Sequence, residues 1–312
     1  MKGTGLERVM SADEDTAPRA PHAARLRSVV FATDFSKGAA AAEQRVARLP
    51  LAPSATIMLL HVLPTSTRGT PASTDAEERL MREADHLRAA LAKAGGRVRV
   101  RTKLAFGRPF EKIARAGMEA ELVVLGRHGA GTFMELLLGS TAERVVRSAA
   151  APVLIVGQKA AHAYRHPIAG VDMSPTSRRA LELCLRVLPD PSVLEIVHAY
   201  DLLVEHALRR GGASERDLTK RRRQERAEAA RILRSFLDGV GVGRCCRQHV
   251  RPGDPRSVLL GRAKRSRADL IVVGAQGHSA LARMLLGSVA VATLRNAECD
   301  VLVVPSARPP AD

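Results

Sequence analysis

Two sets of small residues stand out by type and spacing. Gly126, Gly129, Gly139 and Ser140 follow the pattern Gly-x-x-Gly, nine residues, Gly-Ser, and Gly274, Gly277, Gly287 and Ser288 repeat it. Gly126 lets the backbone approach a ligand with no Cβ in the way, and Gly129 is expected to take the positive φ of a tight turn. A helix opening at the Gly-Ser step offers unpaired N–H groups and the positive end of its dipole, a setting that favours phosphate. Upstream, each copy carries an apolar run that ends in Asp-x-Ser: Asp34-Phe35-Ser36 and Asp172-Met173-Ser174. Asp34 and Asp172 cannot attract phosphate. They suit hydrogen bonds from an adenine or ribose, or a share in a metal site. A lone Gly-x-x-Gly would say nothing, whereas the doubled pattern in a doubled context is specific.

Other residues weigh on the chemistry. Ser140-Thr141-Ala142-Glu143 reads as a capping box, which would satisfy the helix start without a ligand. Ser288-Val289-Ala290-Val291 contains none. Glu135 lies inside the first nine-residue segment, while His278 and Arg283 lie in the second. These contrasts favour copy two as the nucleotide site, with copy one a second candidate. His61 and His198 end apolar runs and read as hydrogen-bonded structural residues. His128 and His278 read equally as phosphate contacts and as exposed side chains. Cys245, Cys246 and His249 do not have zinc spacing, and neighbouring strand residues point to opposite faces, so no metal is expected.

The elements that must position these groups are legible in the apolar pattern. Short apolar runs at 29–32, 56–62, 122–125 and 153–156 recur at 167–171, 193–199, 270–273 and 301–304. Runs of this kind suit parallel strands buried on both faces. Ser36 and Ser174 suit helix N-caps, with Pro175 in the first turn. Segments 74–94 and 213–238 are rich in Ala, Glu, Arg and Leu and read as helices. At 98–104 and 244–250 the chain reads as third strands; in the first, Arg97, Arg99, Arg101 and Lys103 alternate with Val98, Val100, Thr102 and Leu104, as on a guarded sheet edge. Gly107-Arg108-Pro109 and Gly253-Asp254-Pro255 break the chain before further helices. The class is therefore α/β, with five strands per copy in a doubly wound parallel sheet. Ligands on such sheets bind at the C-terminal ends of strands, where strand order reverses.

Over residues 27–306 the chain resembles tandem universal stress proteins. Its doubled glycine motif is similar to that of the family's ATP-binding members. The resemblance implies two Rossmann-like (HUP-type) domains, 27–157 and 167–307, each a parallel sheet of order 3-2-1-4-5. A disordered leader (1–26) and a linker (158–166) complete the chain. It also implies pairing of the domains through their fifth strands, and leaves open a homodimer and a protein partner. ATP, with or without Mg2+, is the implied ligand. Its implied contacts in copy two are Gly170, Val171, Asp172, Ala199, Val273, Gly274, Gly277, His278, Gly287, Ser288 and Val289. In copy one they are Ala32, Thr33, Asp34, Val62, Leu125, Gly126, Gly129, Gly139, Ser140 and Thr141. The aspartates would meet ribose, and Val62 and Ala199 the adenine. The family often has a basic residue after the second glycine, where this chain has Ala130 and His278.

Composition bounds the alternatives. No apolar run reaches the roughly 18 residues of a membrane span, and residues 1–26 hold no signal-like apolar stretch. The chain reads as cytoplasmic. No Walker lysine motif and no His-x-Gly-His run occurs, so an enzyme would be at most a slow ATPase or adenylyl transferase. The net charge is +17, and residues 209–234 hold ten Lys/Arg against four Asp/Glu. A nucleic-acid or anionic-surface binder therefore stays open as an alternative. Interleaved aromatic residues for base stacking are missing.

Overall fold

The structure, a computed structural model, describes residues 25–93, 95, 97–129, 138–157, 160–201, 211–212, 214–242, 246–277 and 286–306. The expected leader falls outside these residues up to position 24.

Copy one contributes β1 (Leu26–Ala32), α1 (Lys37–Val46), β2 (Leu51–Leu63), α2 (Pro71–Lys93), β3 (Arg99–Phe106), α3 (Pro109–Gly117), β4 (Leu122–Gly126), α4 (Ser140–Ser148) and β5 (Val153–Val156). Copy two contributes β6 (Pro167–Gly170), α5 (Pro175–Val187), β7 (Glu195–Tyr200), α6 (Glu215–Asp238), β8 (Arg247–Pro252), α7 (Pro255–Ser266), β9 (Leu270–Gly274), α8 (Ser288–Asn296) and β10 (Asp300–Val304). The strands form one ten-stranded sheet of order β3-β2-β1-β4-β5-β10-β9-β6-β7-β8. Within each copy every pairing is parallel.

The two copies meet through β5 and β10, which pair antiparallel with Leu302 opposite Leu154. The antiparallel join turns the copies end for end. It places the start of β10 beside the end of β5, where the Gly157 N–H donates to Asp300 Oδ1 at 3.0 Å. Arg45 of α1 donates through Nε to Asp300 Oδ2 at 2.8 Å, and the Tyr164 hydroxyl donates to the same oxygen at 2.8 Å. The Arg45 guanidinium lies over the Tyr164 ring, 3.9 Å from its centre. Asp300 is only 1% exposed. Burial pushes its carboxyl up, and Arg45 and Tyr164 work against that.

Alternate residues along each central strand feed two apolar layers. Phe31, Leu59, Val124 and Leu154 enter one, and Val30, Leu60, Val123 and Ile155 enter the other. Helices cover both, as the uninterrupted apolar runs require. β2 begins five residues before the expected Thr56, and its register against β1 shifts between Leu26 and Ser28. Pro53 is tolerated there because β3 pairs with β2 only from Thr56 onward, so its missing N–H costs no ladder bond on that side. β3 and β8 are the edges, and Arg99, Arg101, Arg247 and Arg251 are exposed on them. On α6, part of the basic charge is internally paired: Arg221 with Glu225 and Arg231 with Glu228. No helix among the described residues is long and apolar enough to cross a membrane.

Candidate functional site

Each copy builds the same turn after its first strand. Phe35 and Met173 take left-handed backbone, with φ 60° and 62°. Bulky residues avoid that region unless neighbouring bonds hold them there. Here Asp34 Oδ1 accepts from Ser36 N at 3.1 Å, and Asp172 Oδ1 from Ser174 N at 3.0 Å. Ser36 and Ser174 then cap α1 and α5 through their hydroxyls, as expected. His61 and His198 place Nδ1 2.8 Å from the carbonyls of Thr33 and Val171. Both histidines therefore serve the turn, and burial pushes the His61 imidazole below its usual range.

A cavity of about 390 Å³ opens at the strand ends of copy one. Ala32, Thr33, Asp34, Val62, Leu125, Gly126, Gly129, Gly139, Ser140 and Thr141 all line it. The corresponding cavity in copy two is about 320 Å³. Gly170, Val171, Asp172, Ala199, Val273, Gly274, Gly277, Gly287, Ser288 and Val289 line that one. His278 lies outside the described residues, as do Ala130, Glu135 and Arg283. Lining residues not singled out from sequence include Pro109, Ile113 and Ala39 in copy one, and Pro255, Leu259 and Gln276 in copy two. The two prolines had a signal: each opens the helix after a Gly-x-Pro break.

Two sequence expectations fail. Gly129 does not have a positive φ. A Cβ there would fall 2.5 Å from Asp34 Oδ2, and one at Gly277 would fall 2.5 Å from Asp172 Oδ2. These glycines make room for the carboxylates rather than for a turn. At Gly126 the neighbour is backbone, since a Cβ would meet the Gly38 carbonyl carbon at 2.5 Å. The capping box does not form either. Gly139 is the N-cap of α4, Ser140 is its first helical residue, and no side chain caps the start. Glu143 accepts from Arg147 at 2.8 Å. Gly287 opens α8 in the same uncapped way, with φ −64° and ψ 153° against −62° and 144° at Gly139. The capping-box ground for ranking copy two above copy one therefore falls away.

The two loops still differ. Arg127, where copy two has Ala275, is 6% exposed, and its Nε and one terminal nitrogen make no hydrogen bond. Burial lowers its basicity, while Cys299 and Asp300 act the other way. His128 lines the copy-one cavity, and its Nδ1 is likewise unpartnered. Among the described residues no group of three or more metal-ligating side chains occurs. Cys184 and Cys299 are buried with their thiols pushed up by desolvation, Cys299 to about 12.

The sequence profile described as "Universal stress protein family" matches residues 25–157 and 163–305. Universal stress protein A homolog 1 of Coxiella burnetii is 33% identical over 144 residues, 45% of this chain and 96% of its own length. A universal stress protein of Mycobacterium tuberculosis is 29% identical over 215 residues, 67% of this chain and 70% of its own. The crystal structure of a universal stress protein from Archaeoglobus fulgidus superposes with TM-score 0.62 at 19% identity, over 89% of this chain and 98% of that one. A second, from Pseudomonas aeruginosa, gives 0.59 at 19% identity, over 89% and 93%. These two likenesses speak to the fold.

Proposed function

The chain belongs to the universal stress protein family, and from that premise we propose that it is a stress-response regulator that binds ATP in both cavities. The observation that carries the reading is the uncapped helix start facing an aspartate across a glycine loop, present twice. α4 and α8 each open on glycine with no side-chain cap. The first N–H groups of a helix have no partner within it, so here they are available to phosphate oxygens. Asp34 and Asp172 line the same cavities beside Gly129 and Gly277, and their carboxylates accept hydrogen bonds from ribose hydroxyls. Apolar Val62, Leu125 and Ile113 in copy one, and Ala199, Val273 and Leu259 in copy two, supply a surface for the base. Both volumes fall within the range of small-molecule sites, about 300–1,000 Å³.

The residues divide the ligand by chemistry. The carboxylate stays away from the anionic end, and the amides and helix dipole take it. The glycines keep Cβ atoms out of the space between. Nucleotide occupancy would be read by a partner through the glycine loops or through the β5–β10 junction, to which the Arg127 side chain runs. Equilibrium dialysis with ATP tests this. Wild type retains nucleotide, and the Gly129→Asp, Gly277→Asp double variant, folded by circular dichroism, retains none. Equal retention by both would refute the site.

A further inference from the structure

Glu83 on α2 lies one hydrogen bond behind the wall of the copy-one cavity. Thr33, which lines that cavity, donates through Oγ1 to the two Glu83 oxygens at 3.0 and 2.9 Å. The same hydroxyl accepts from Phe35 N at 3.1 Å, inside the turn that presents Asp34. Charged groups face Glu83 from each neighbouring element. Asp34 after β1 and Glu43 on α1 oppose its ionisation, and Arg79, one turn earlier on α2, favours it. Arg79 also lies over the Phe35 ring at 4.4 Å. His61 on β2 is held toward its neutral form by burial, so it adds little positive charge at neutral pH. His86 on α2 acts on Glu43. With burial the largest influence, the Glu83 carboxyl is pushed up to about 7. In copy two, Val171 stands where Thr33 does and has no hydroxyl to hold a carboxylate against the turn.

We propose that the copy-one cavity binds its anionic nucleotide with uptake of a proton at Glu83, and that the copy-two cavity does not. The inference rests on the nucleotide reading above. An ionised Glu83 places a second negative charge beside Asp34, next to a cavity that must receive an anion. Protonation removes that charge, and by linkage the bound anion holds the proton more tightly. For charges roughly 10 Å apart at an effective dielectric of about 20, partly screened by salt, the effect is about fivefold in affinity. The two sites of one chain would then fill in a ratio set by pH.

Calorimetry with ATP on the full chain tests this. The Gly277→Asp variant reports copy one alone, and Gly129→Asp reports copy two. Either new Cβ meets only the movable end of a carboxylate, so the fold survives. Between pH 6 and pH 8, which spans most of the Glu83 titration, copy-one affinity falls about threefold more in Gly277→Asp than in Gly277→Asp with Glu83→Gln. Titration of ATP itself cancels in that comparison. Glu83→Gln leaves the pH dependence of Gly129→Asp unchanged. Equal pH dependence with and without Glu83 would overturn the proposal. A second measurement needs no variant: the carboxyl carbon-13 titration of Glu83 has its midpoint near the value given above and moves up when ATP is added. A midpoint that ATP leaves in place overturns the proposal. Absence of ATP binding at both cavities of the folded protein would overturn the nucleotide reading first and this inference with it.

Discussion

Replacing Gly277 by Ala separates the two jobs that a glycine loop can do. At this position the backbone is not left-handed, so alanine brings no conformational strain. Its methyl carbon would lie 2.5 Å from Asp172 Oδ2, where ordinary contact begins at 3.4 Å. The carboxylate is the movable partner and must swing by about 1 Å. Its other oxygen accepts from Ser174 N at 3.0 Å, and that bond helps hold Met173 left-handed. Weakening one hydrogen bond to a charged acceptor costs about 1 kcal/mol at a partly solvated site. In a chain of this size that lowers Tm by about 2 °C. Displacing the group proposed to hold ribose costs a further factor of about ten in copy-two affinity, or about 1.4 kcal/mol. Copy one is untouched. Calorimetry with ATP and thermal unfolding, each on Gly277→Ala and on Gly129→Ala, read both effects. Gly287→Ala is the contrast, since its Cβ meets Ala275 O only at 3.4 Å, and it should change affinity less than about threefold. If Gly277→Ala leaves copy-two affinity at the wild-type value, Asp172 does not contact the ligand and the reasoning fails.

Further outcomes follow from other parts of the molecule. Asp300→Ala strands the buried Arg45 guanidinium and leaves Tyr164 without its acceptor, and urea unfolding should show a loss of about 3–5 kcal/mol; a loss under about 1 kcal/mol would mean the junction does not depend on this cluster. Arg127→Met keeps the bulk of a buried side chain and removes a charge with two unpartnered nitrogens, so stability should hold or rise by about 1 kcal/mol, and a marked fall in Tm would show that the guanidinium has a partner in solution. Glu83 gives a pH dependence with a fixed sign. Its carboxyl, pushed up to about 7 in the fold, lies above the ordinary glutamate value of 4.5, so its stabilising contribution is complete below about 4.5 and is lost as pH rises through 7. Thermal scans should find Glu83→Gln equal to wild type near pH 4 and more stable than it at pH 8, and parallel curves would refute the shift.

The frame of the protein was readable because it is periodic or local. Apolar runs at matching places in two copies marked the strands, the Asp-x-Ser and Gly-x-x-Gly steps located the strand ends, and the Gly-Ser steps located the helix starts around which the cavities form. Ser36 and Ser174 cap helices because capping needs only neighbours three residues apart. What escaped the sequence depends on residues far apart in the chain. Arg45 and Asp300 are 255 positions apart, and Thr33 and Glu83 are 50 apart; neither pair leaves a local pattern. The glycine at 129 was visible as a glycine, yet its reason was the Asp34 carboxylate packed against it, 95 positions earlier in the chain. Ser140-Thr141-Ala142-Glu143 had the letters of a capping box, but the helix begins one residue too early for Ser140 to serve as the cap, and Arg147 takes Glu143.

The central claim is that one chain carries two nucleotide sites built on the same plan. Native mass spectrometry of the protein saturated with ATP tests it most directly. Two nucleotides per chain are predicted, one in Gly129→Asp, one in Gly277→Asp, and none in the double variant. A folded wild-type chain that binds none, or a double variant that still binds two, would contradict it.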